Sequence, residues 1–492
     1  MSDAAGLGDL HEYTALEQWH LLQRGDVSPT ELTQAYLERI EALNPRVGAF
    51  ATVTGDAALE RARVVETSMP KSAPLWGLPL GDKDLWNRQG VPTAYGSRAR
   101  AGYVPDASDE IVRQLDAAGA VSLGKTAVPE FGMPAYTETR VGPPARNPWQ
   151  LDLNAGGSSG GAAAAVAAGM LPFAPGSDGG GSIRIPAAAC GLVGLKPGRG
   201  LVPAGSGLGS PDGLVVNGPI ARTVADAALL LDGMIARKPD GTIDHHYSVR
   251  APGGGEPFLA AAVRGELGDG TKRFQLGVMT SSAWDAEYEI ATSAEASAAL
   301  EVAVAALGEL GHGVDATSLD PDPSYAPAFI AAWQGGAASI PFGDDELALT
   351  EPLTQWLIAE GRTLTAGRLT SALVALREFE RRFIARFAAF DAVLTPTLAM
   401  TPRPNGWWDQ ADMPHNFEQQ CQYTPFTSMV NVSGLPAITV PVFQTEASED
   451  APAGLPMGVQ LIGRPGGEVT LLALAAQLER KLRWRSRRPP VW

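Results

Sequence analysis

The spacing of apolar residues along the chain predicts helices and short strands that follow one another. Within residues 12–66, the capping-box sequence SPTE at 28–31 precedes apolar residues at helical spacing, so this segment is predicted to be helical. Residues 110–126 combine a helical pattern, a glycine stop and an apolar run of strand length. Further helices are expected at 161–169, 224–235, 294–310 and up to 482, and strands within 75–86, 274–280, 434–443 and 455–463. The alternation of the two patterns predicts a layered α/β fold.

Two stretches break the pattern. Residues 236–272 are rich in Gly, Pro and Asp without periodicity and are predicted to be a surface excursion. Residues 401–425 are also predicted to be irregular, although they contain several aromatic side chains. Neither stretch divides the sequence into independent halves, so residues 1–492 are predicted to form a single domain.

Composition argues against several function classes. Hydrophobic residues make up 45% of the chain and charged residues 19%, which is typical of a globular protein. A formal net charge of −16 disfavours nucleic acid or an anionic membrane as partner, because both attract clustered lysine and arginine. Cys190 and Cys421 cannot make a disulfide framework, and no apolar run reaches the roughly 18 residues of a membrane span. Since residues 1–13 lack a leader pattern, a cytoplasmic location is expected.

Two motif matches fail on their context. Residues 119–126 (GAVSLGKT) fit the pattern of a phosphate-binding loop, but a strand-like sequence occupies the supposed loop and Pro129 follows it. Residues 156–160 (GGSSG) fit the nucleophile elbow of α/β-hydrolases, which requires a preceding strand and a late histidine. A loop-like sequence precedes them, and the only late histidine, His415, lies in the irregular stretch. No metal site is predicted either, because no His, Cys and Asp residues have ligand spacing.

Residues 156–197 form an almost uncharged run of small residues that holds Ser158 and Ser182 among glycines. Glycines allow backbone N–H groups to come close to a reacting oxyanion. Without a well-placed histidine, a serine nucleophile needs another base, and a lysine whose pKa is lowered by burial is the obvious one. Lys83 fits because it lies in the apolar sequence PLGDKDLW at 79–86. The alternative for this segment alone is an edge lysine that extends to solvent.

Lys83 and the glycine run, together with their flanking segments, resemble the amidase signature family. The resemblance implies a layered α/β/α fold with a central mixed β-sheet flanked by helices and a signature core at about 75–235. It also implies a hydrolase that cleaves carboxylic amide C–N bonds with water as acyl acceptor and without a cofactor or metal ion. The segments that carry the resemblance span nearly the whole chain: 124–132, 142–149, 156–161, 176–197, 217–232, 431–442 and 454–463.

The resemblance implies a Ser–Ser–Lys triad in this chain. Ser182 matches the family nucleophile, Lys83 matches the base, and Ser158 matches the bridging serine, whose peptide bond to Gly157 would be cis. Asp178 and Arg184 match positions that support the site without taking part in the chemistry. The predicted oxyanion hole consists of the backbone N–H groups of Gly179, Gly180, Gly181 and Ser182.

Two positions depart from the family pattern. Gly179 stands where a Thr or Ser is usual, which predicts a more flexible loop unless neighbouring residues hold it. Asp82 stands where an apolar residue is usual, and strand alternation predicts that it lies on the face opposite Lys83. An ion pair between Asp82 and Lys83 would oppose base catalysis by stabilising the ammonium form.

The chain resembles stand-alone bacterial amidases of the aryl acylamidase or urethanase type, and the expected substrate is a small aryl or alkyl amide. Carbamates, lactams and nylon-type oligomers are alternatives, since the same attack serves their carbonyls. A subunit of a tRNA-linked amidotransferase is disfavoured because those relatives carry Gln at the position of Ile185. No nucleic acid or membrane partner is expected, and the chain is expected to be a monomer or a homodimer. The predicted pocket residues are Phe131, Met133, Trp333, Trp407 and Tyr423.

Overall fold

A computed structural model describes residues 7–202, 213–235, 256–448 and 451–492. The helices in these ranges are α1 (Ala15–Arg24), α2 (Pro29–Val47), α3 (Gly55–Ser68), α4 (Glu110–Ala117), α5 (Gly160–Ala167), α6 (Arg184–Ala189), α7 (Val224–Met234), α8 (Phe258–Arg264), α9 (Ala294–Glu309), α10 (Tyr325–Ala338), α11 (Asp344–Ala348), α12 (Pro352–Arg362), α13 (Ala366–Phe387), α14 (Met413–Tyr423), α15 (Ser428–Val432) and α16 (Glu468–Leu482). The strands are β1 (Phe50–Val53), β2 (Pro79–Lys83), β3 (Val121–Thr126), β4 (Arg146–Asn147), β5 (Gln150–Asn154), β6 (Phe173–Asp178), β7 (Val193–Lys196), β8 (Val216–Ala221), β9 (Gln275–Val278), β10 (Gly313–Ala316), β11 (Ala392–Pro396), β12 (Ala437–Gln444) and β13 (Pro456–Gly463).

The strands form one large mixed sheet and two small sheets. The large sheet has the order β10-β9-β11-β13-β12-β7-β8-β6, with β9 parallel to β10 and β11 and antiparallel pairing from β11 to β6. A three-stranded sheet has the order β1-β3-β2, and β4 pairs with β5. Helices α6, α7, α9 and α16 pack against strands of the large sheet. The predicted layered α/β fold with a central mixed sheet flanked by helices is confirmed.

Local sequence signals explain both ends of α2. The capping box predicted at 28–31 is present, because the Ser28 hydroxyl accepts the Glu31 N–H at 3.1 Å and the Glu31 carboxylate accepts the Ser28 N–H at 2.8 Å. Helix α2 ends at Gly48, whose φ of 69° lies in the left-handed region. A Cβ at Gly48 would lie 2.5 Å from the carbonyl O of Pro144, so only glycine fits this turn.

Three predicted segment boundaries are corrected by the structure. Residues 12–66 are not helical throughout, because β1 separates α2 from α3 and pairs with β3. The stretch 401–425 is not irregular throughout, since it contains α14, whose N-cap is Asp412. Within 236–272, residues 258–264 form α8, which packs against α7 and α16, while 236–255 lie outside the described residues.

Helix α5 is buried at every residue. It packs against β1 and β3 of the three-stranded sheet and against β6 and β8 of the large sheet, so it lies between these two sheets. Its small side chains allow this close approach. A Cβ at Gly161 would lie 2.3 Å from the backbone N of Ala127, so no other residue fits there without backbone movement. Among the described helices, none is both long and apolar enough to cross a bilayer.

Candidate active site

Strand β2 places Lys83 at its C-terminal end, inside the protein. The side chain is fully buried, and its Nζ atom lies 2.9 Å from Oγ of Ser158. The same Nζ lies 3.0 Å from the carbonyl O and 2.9 Å from Oγ of Ser177 on β6. Three oxygen atoms therefore surround the amine, and the alternative of a lysine that extends to solvent is excluded.

Burial lowers the pKa of Lys83 to about 7, since a charged ammonium is poorly solvated inside the protein. The negative charge of Asp178 acts in the opposite direction and limits the shift. Near neutral pH, a large fraction of the Lys83 side chains is therefore the uncharged amine. A buried neutral amine that touches a serine hydroxyl has the chemistry of a general base.

Ser158 lies in the loop between β5 and α5, and the Gly157–Ser158 peptide bond is cis. Neighbouring backbone closes around this serine on two sides. A Cβ at Gly157 would lie 2.6 Å from the backbone N of Tyr136, and a Cβ at Gly132 would lie 3.2 Å from Oγ of Ser158. The glycines thus allow the chain to enclose the Ser158 hydroxyl, which is almost fully buried.

Ser182 lies in the loop between β6 and α6, and its side chain is 8% exposed. A hydrogen bond joins this loop to the one that holds Ser158, because the Ser159 N–H donates to the Ser182 carbonyl at 3.2 Å. The fold therefore brings together the loops of Ser158 and Ser182 and the lysine on β2. Ser182 also lines a pocket, which Ser158 and Lys83 do not.

A buried ion pair fixes the loop 179–183, which contains Ser182. The Asp178 carboxylate accepts two hydrogen bonds from Arg184, both at 2.9 Å, and both side chains are fully buried. It also accepts the backbone N–H groups of Gly181 at 2.7 Å and Ile183 at 3.2 Å. Burial alone would raise the pKa of Asp178, but Arg184 holds it well below its ordinary value. The carboxylate is thus a permanent negative charge behind the loop.

Of the four predicted oxyanion donors, one is already hydrogen-bonded to the carboxylate of the ion pair. The Gly181 N–H is committed to Asp178, whereas the N–H groups of Gly179, Gly180 and Ser182 have no hydrogen-bond partner within the described residues. Three of the four peptide groups at 178–181 are also held through their oxygens, and one of them is Gly181, whose carbonyl accepts the Ile185 N–H at 2.7 Å. Asn431 donates to the Asp178 carbonyl at 2.8 Å, and the Thr427 hydroxyl donates to the Gly180 carbonyl at 2.6 Å.

Asn431, Thr427 and Ser177 are site residues that sequence reasoning missed. Ser177 lies inside the glycine run and Asn431 begins the segment 431–442, so both lie in segments that carry the resemblance. No local pattern marks them as site residues, because their partners are distant in the chain. Thr427 and Gly180, for instance, are 247 positions apart.

Asp82 points away from Lys83, as strand alternation predicts. Its buried carboxylate accepts hydrogen bonds from Arg88 and, at 2.8 Å, from the Ser122 hydroxyl. Asp178, not Asp82, is the acidic residue that acts on the pKa of Lys83. The neighbouring residue on the other side, Asp84, faces the buried Lys125 at 3.5 Å. The ion pair that would have opposed base catalysis is therefore not formed.

The pocket beside Ser182 is walled by aromatic side chains. Phe329 and Trp333 on α10 stack with ring centroids 5.6 Å apart, and Trp284 meets Phe329 edge-on at 5.4 Å. Its other described lining residues are Met133, Pro134, Ala135, Gly180, Ser182, Ile185, Phe417, Gln420, Cys421, Thr424 and Ser428. Such a mostly apolar wall with a few hydroxyl and amide groups suits an uncharged organic group.

The five predicted pocket residues lie in three different places. Met133 and Trp333 line the pocket beside Ser182. Phe131 packs between Tyr95 and Phe342, and the other two predicted residues lie in a separate aromatic cluster around Trp408. Those two are Trp407 and Tyr423.

In the described ranges, no three His, Cys, Asp or Glu side chains are grouped so that they would hold a metal ion.

Comparisons with known proteins identify the family. A family model described as Amidase matches residues 31–472. The chain belongs to the amidase family. A Mycobacterium tuberculosis protein named "Putative amidase AmiB2" is 38% identical to this amidase over 502 residues, which cover 98% of this chain and 99% of the relative.

Two solved structures resemble this amidase over nearly their whole length. One is 6-aminohexanoate cyclic dimer hydrolase complexed with substrate, with a TM-score of 0.85, 30% identity and coverage of 98% of this chain and 99% of that chain. The other is a bacterial aryl acylamidase of the amidase signature family, with a TM-score of 0.80, 26% identity and coverage of 96% and 97%. This amidase is therefore an amide-hydrolysing enzyme.

Proposed function

We propose that this amidase cleaves amides through an acyl-enzyme on Ser182, with Ser158 and Lys83 as its proton relay. The observation that carries the proposal is the 2.9 Å contact between Nζ of Lys83 and Oγ of Ser158 inside the protein. A lysine with a pKa of about 7 is an effective base near neutral pH, because its neutral form is abundant there.

The relay begins when Ser182 attacks the carbonyl carbon of the substrate. As the new C–O bond forms, Ser158 takes the proton of the Ser182 hydroxyl and passes its own proton to Nζ of Lys83. The proton then returns along the same path to the leaving nitrogen, and the C–N bond breaks. Water attacks the acyl-enzyme with the help of the same relay and releases the carboxylic acid.

The negative charge of the tetrahedral intermediate requires preorganised donors. The N–H groups of Gly179, Gly180 and Ser182 are suited to this task, because no other described residue uses them. Gly181 has a different task, since its N–H fixes the loop to Asp178. The proposed oxyanion hole therefore has three members, one fewer than the sequence resemblance implies.

The proposed substrate is an aryl or alkyl amide without charge near the scissile bond. The aromatic wall formed by Trp284, Phe329, Trp333 and Phe417 supports this class, because flat or apolar groups bury well against such rings. The likeness to a cyclic dimer hydrolase and to an aryl acylamidase supports lactams as well as anilides. Carbamates remain the third class to test, since Ser182 would attack their carbonyl in the same way.

A substrate panel with the purified chain alone tests the proposal. It includes p-nitroacetanilide, a primary benzamide, an aryl carbamate, a cyclic amide, glutamine and an aryl ester, each with wild type and Ser182→Ala. We expect turnover of neutral amides, none by Ser182→Ala, and an acyl adduct on Ser182 in mass spectra of quenched wild type. Equal turnover by Ser182→Ala contradicts the mechanism. Turnover of glutamine and of no other substrate in the panel points instead to an amidotransferase subunit.

A further inference from the structure

Ser177 presents two oxygen atoms to the amine of Lys83. Its carbonyl O lies 3.0 Å from Nζ, and its Oγ lies 2.9 Å from the same atom. Ser158 supplies the third oxygen, at 2.9 Å. All three residues are buried, so water does not compete for these contacts.

The number of donors and acceptors decides how the neutral amine is oriented. An uncharged primary amine has two N–H groups and one lone pair. The Ser177 carbonyl can only accept, so it takes one N–H. If Oγ of Ser177 accepts the other N–H, the lone pair has only the Ser158 hydroxyl left to face.

We infer that Ser177 is a positioning residue, which directs the lone pair of Lys83 onto the Ser158 hydroxyl by accepting both N–H groups of the amine. The inference rests on the proposed relay through Ser182, Ser158 and Lys83. Ser177 does not touch the reacting bond, and it acts only through the direction in which Lys83 accepts a proton.

The same three oxygens also accept the hydrogen bonds of the protonated Lys83 that the proton transfer produces. When the O–H bond of Ser158 breaks and a third N–H bond forms on Lys83, the ammonium has three donors and three acceptors at hydrogen-bond distance. Ser158 meanwhile receives the proton of Ser182. Both protonation states of Lys83 therefore fit one arrangement, and the transfer needs no reorganisation of the protein.

The strand pairing makes Ser177 a rigid support. It lies in β6, where it pairs with Asn217 of β8, and the next residue, Asp178, anchors the loop in front of Ser182. One strand thus orients the base through residue 177 and the oxyanion loop through residue 178. Asp178 is the charged residue that acts on Lys83 in this arrangement.

The test compares pH profiles of kcat and kcat/KM for wild type, Ser177→Ala and Ser177→Thr with one neutral anilide. In Ser177→Ala one N–H loses its acceptor and competes with the lone pair for Ser158, so we expect kcat to fall about tenfold. The acid limb of kcat/KM moves to lower pH, because the ammonium form of Lys83 loses a hydrogen bond. Ser177→Thr keeps the hydroxyl and restores both values.

Thr350→Val is the matched control, since it removes a buried hydroxyl that donates at 2.7 Å to the Leu347 carbonyl, and Thr350 neither contacts Lys83 nor lines the pocket. Thermal unfolding of every variant separates folding defects from catalytic ones, and Ser177→Gly, which also lacks the hydroxyl, repeats the measurement if Ser177→Ala is unstable. The inference is overturned if Ser177→Ala keeps wild-type kcat, or if kcat falls while the acid limb stays in place. Normal turnover by Lys83→Ala would instead overturn the relay itself.

Discussion

The Nζ atom of Lys83 lies 2.9 Å from Oγ of Ser158, although the two residues are 75 positions apart. The contact joins β2 of the three-stranded sheet to the loop before α5. Helix α5 packs between the three-stranded sheet and the large sheet. The base thus belongs to a different sheet from β6, which leads into the loop of Ser182. Since β2 also packs directly against β6, the relay depends on this contact between the two sheets as well as on the glycine run.

Removal of the Lys83 amine tests the relay directly. We expect Lys83→Ala to lower kcat by about 10²–10⁴-fold, the usual contribution of a general base, with folding retained. KM for a neutral anilide should change little, because Lys83 does not line the pocket. Stopped assays with p-nitroacetanilide measure both constants, and the exposed Lys272→Ala is the control. Near-normal turnover by Lys83→Ala would rule out lysine as the base.

The pH dependence of wild type follows from the same amine. Only neutral Lys83 accepts a proton, and burial lowers its pKa to about 7. Below that pH the ammonium form dominates, so kcat/KM should rise about tenfold per pH unit and level off above it. The profile of kcat/KM between pH 5 and pH 9 checks this. An acid limb near pH 10, the ordinary range of a lysine, would contradict the proposed burial effect.

Replacement of Asp178 by Asn removes the charge behind the oxyanion loop. It leaves Arg184 buried without a carboxylate, so we expect the free energy of unfolding to fall by about 3–5 kcal/mol. Urea unfolding measures this loss. Asp26→Asn is the control, because its pair with Arg24 is 49% and 61% exposed and should change stability by less than about 1 kcal/mol.

Asp178→Asn should also change the pH profile of any folded fraction. The carboxylate raises the pKa of Lys83 against the effect of burial. Without it, the acid limb of kcat/KM should move to lower pH. An unchanged limb would mean that Asp178 does not act on Lys83.

Local patterns were sufficient to predict much of the scaffold. The capping box at 28–31, the helix and strand within 110–126 and the two strands β12 and β13 all follow from spacing and cap residues over a few positions. The same patterns missed β1 because four residues carry too little periodicity, and they missed α14 because its aromatic and amide residues blur the helical face. Local signals thus work where one short segment determines its own structure.

The site itself was only partly predictable. A resemblance named Lys83, Ser158 and Ser182, but it did not include the two oxygens of Ser177 or the donors Thr427 and Asn431. These contacts join strands and helices that are far apart in sequence, so no window of the chain contains them. For the same reason the resemblance implied Gly181 as an oxyanion donor, whereas its N–H is committed to Asp178.

Removal of one ring from the aromatic wall should weaken the binding of aryl substrates more than that of alkyl substrates. Trp333→Ala removes the ring that stacks on Phe329, and an aromatic contact contributes about 0.5–1.5 kcal/mol beyond its buried area. We expect KM for anilides and benzamides to rise about tenfold, while small aliphatic amides change little. Steady-state kinetics on matched aryl and alkyl amides measure the ratio. Trp19→Ala, on the distant α1, is the control, and an equal loss for both substrate types would contradict an aryl-binding wall.

The burial that makes Lys83 a base should also cost stability. The unfolded chain keeps its lysine protonated up to about pH 10.5, whereas the folded protein releases the proton near pH 7. Between these values the unfolded state binds more protons, so this residue makes the free energy of unfolding rise with pH, and its cost is greatest below pH 7. Lys83→Met removes the charge, so its Tm should exceed that of wild type by several degrees at pH 6.

This gain should shrink as the pH approaches 10, because the folded lysine is then neutral and the unfolded lysine begins to lose its proton. Burial and the nearby Arg184 also lower the pKa of Lys196 to about 7, so the variant should keep part of the pH dependence. The difference in Tm between Lys83→Met and wild type isolates the share of Lys83, and Lys272→Met controls for loss of an exposed charge. Thermal scans from pH 6 to pH 10 test the sign, and a gain that grows with pH would show that Lys83 is not neutralised by burial.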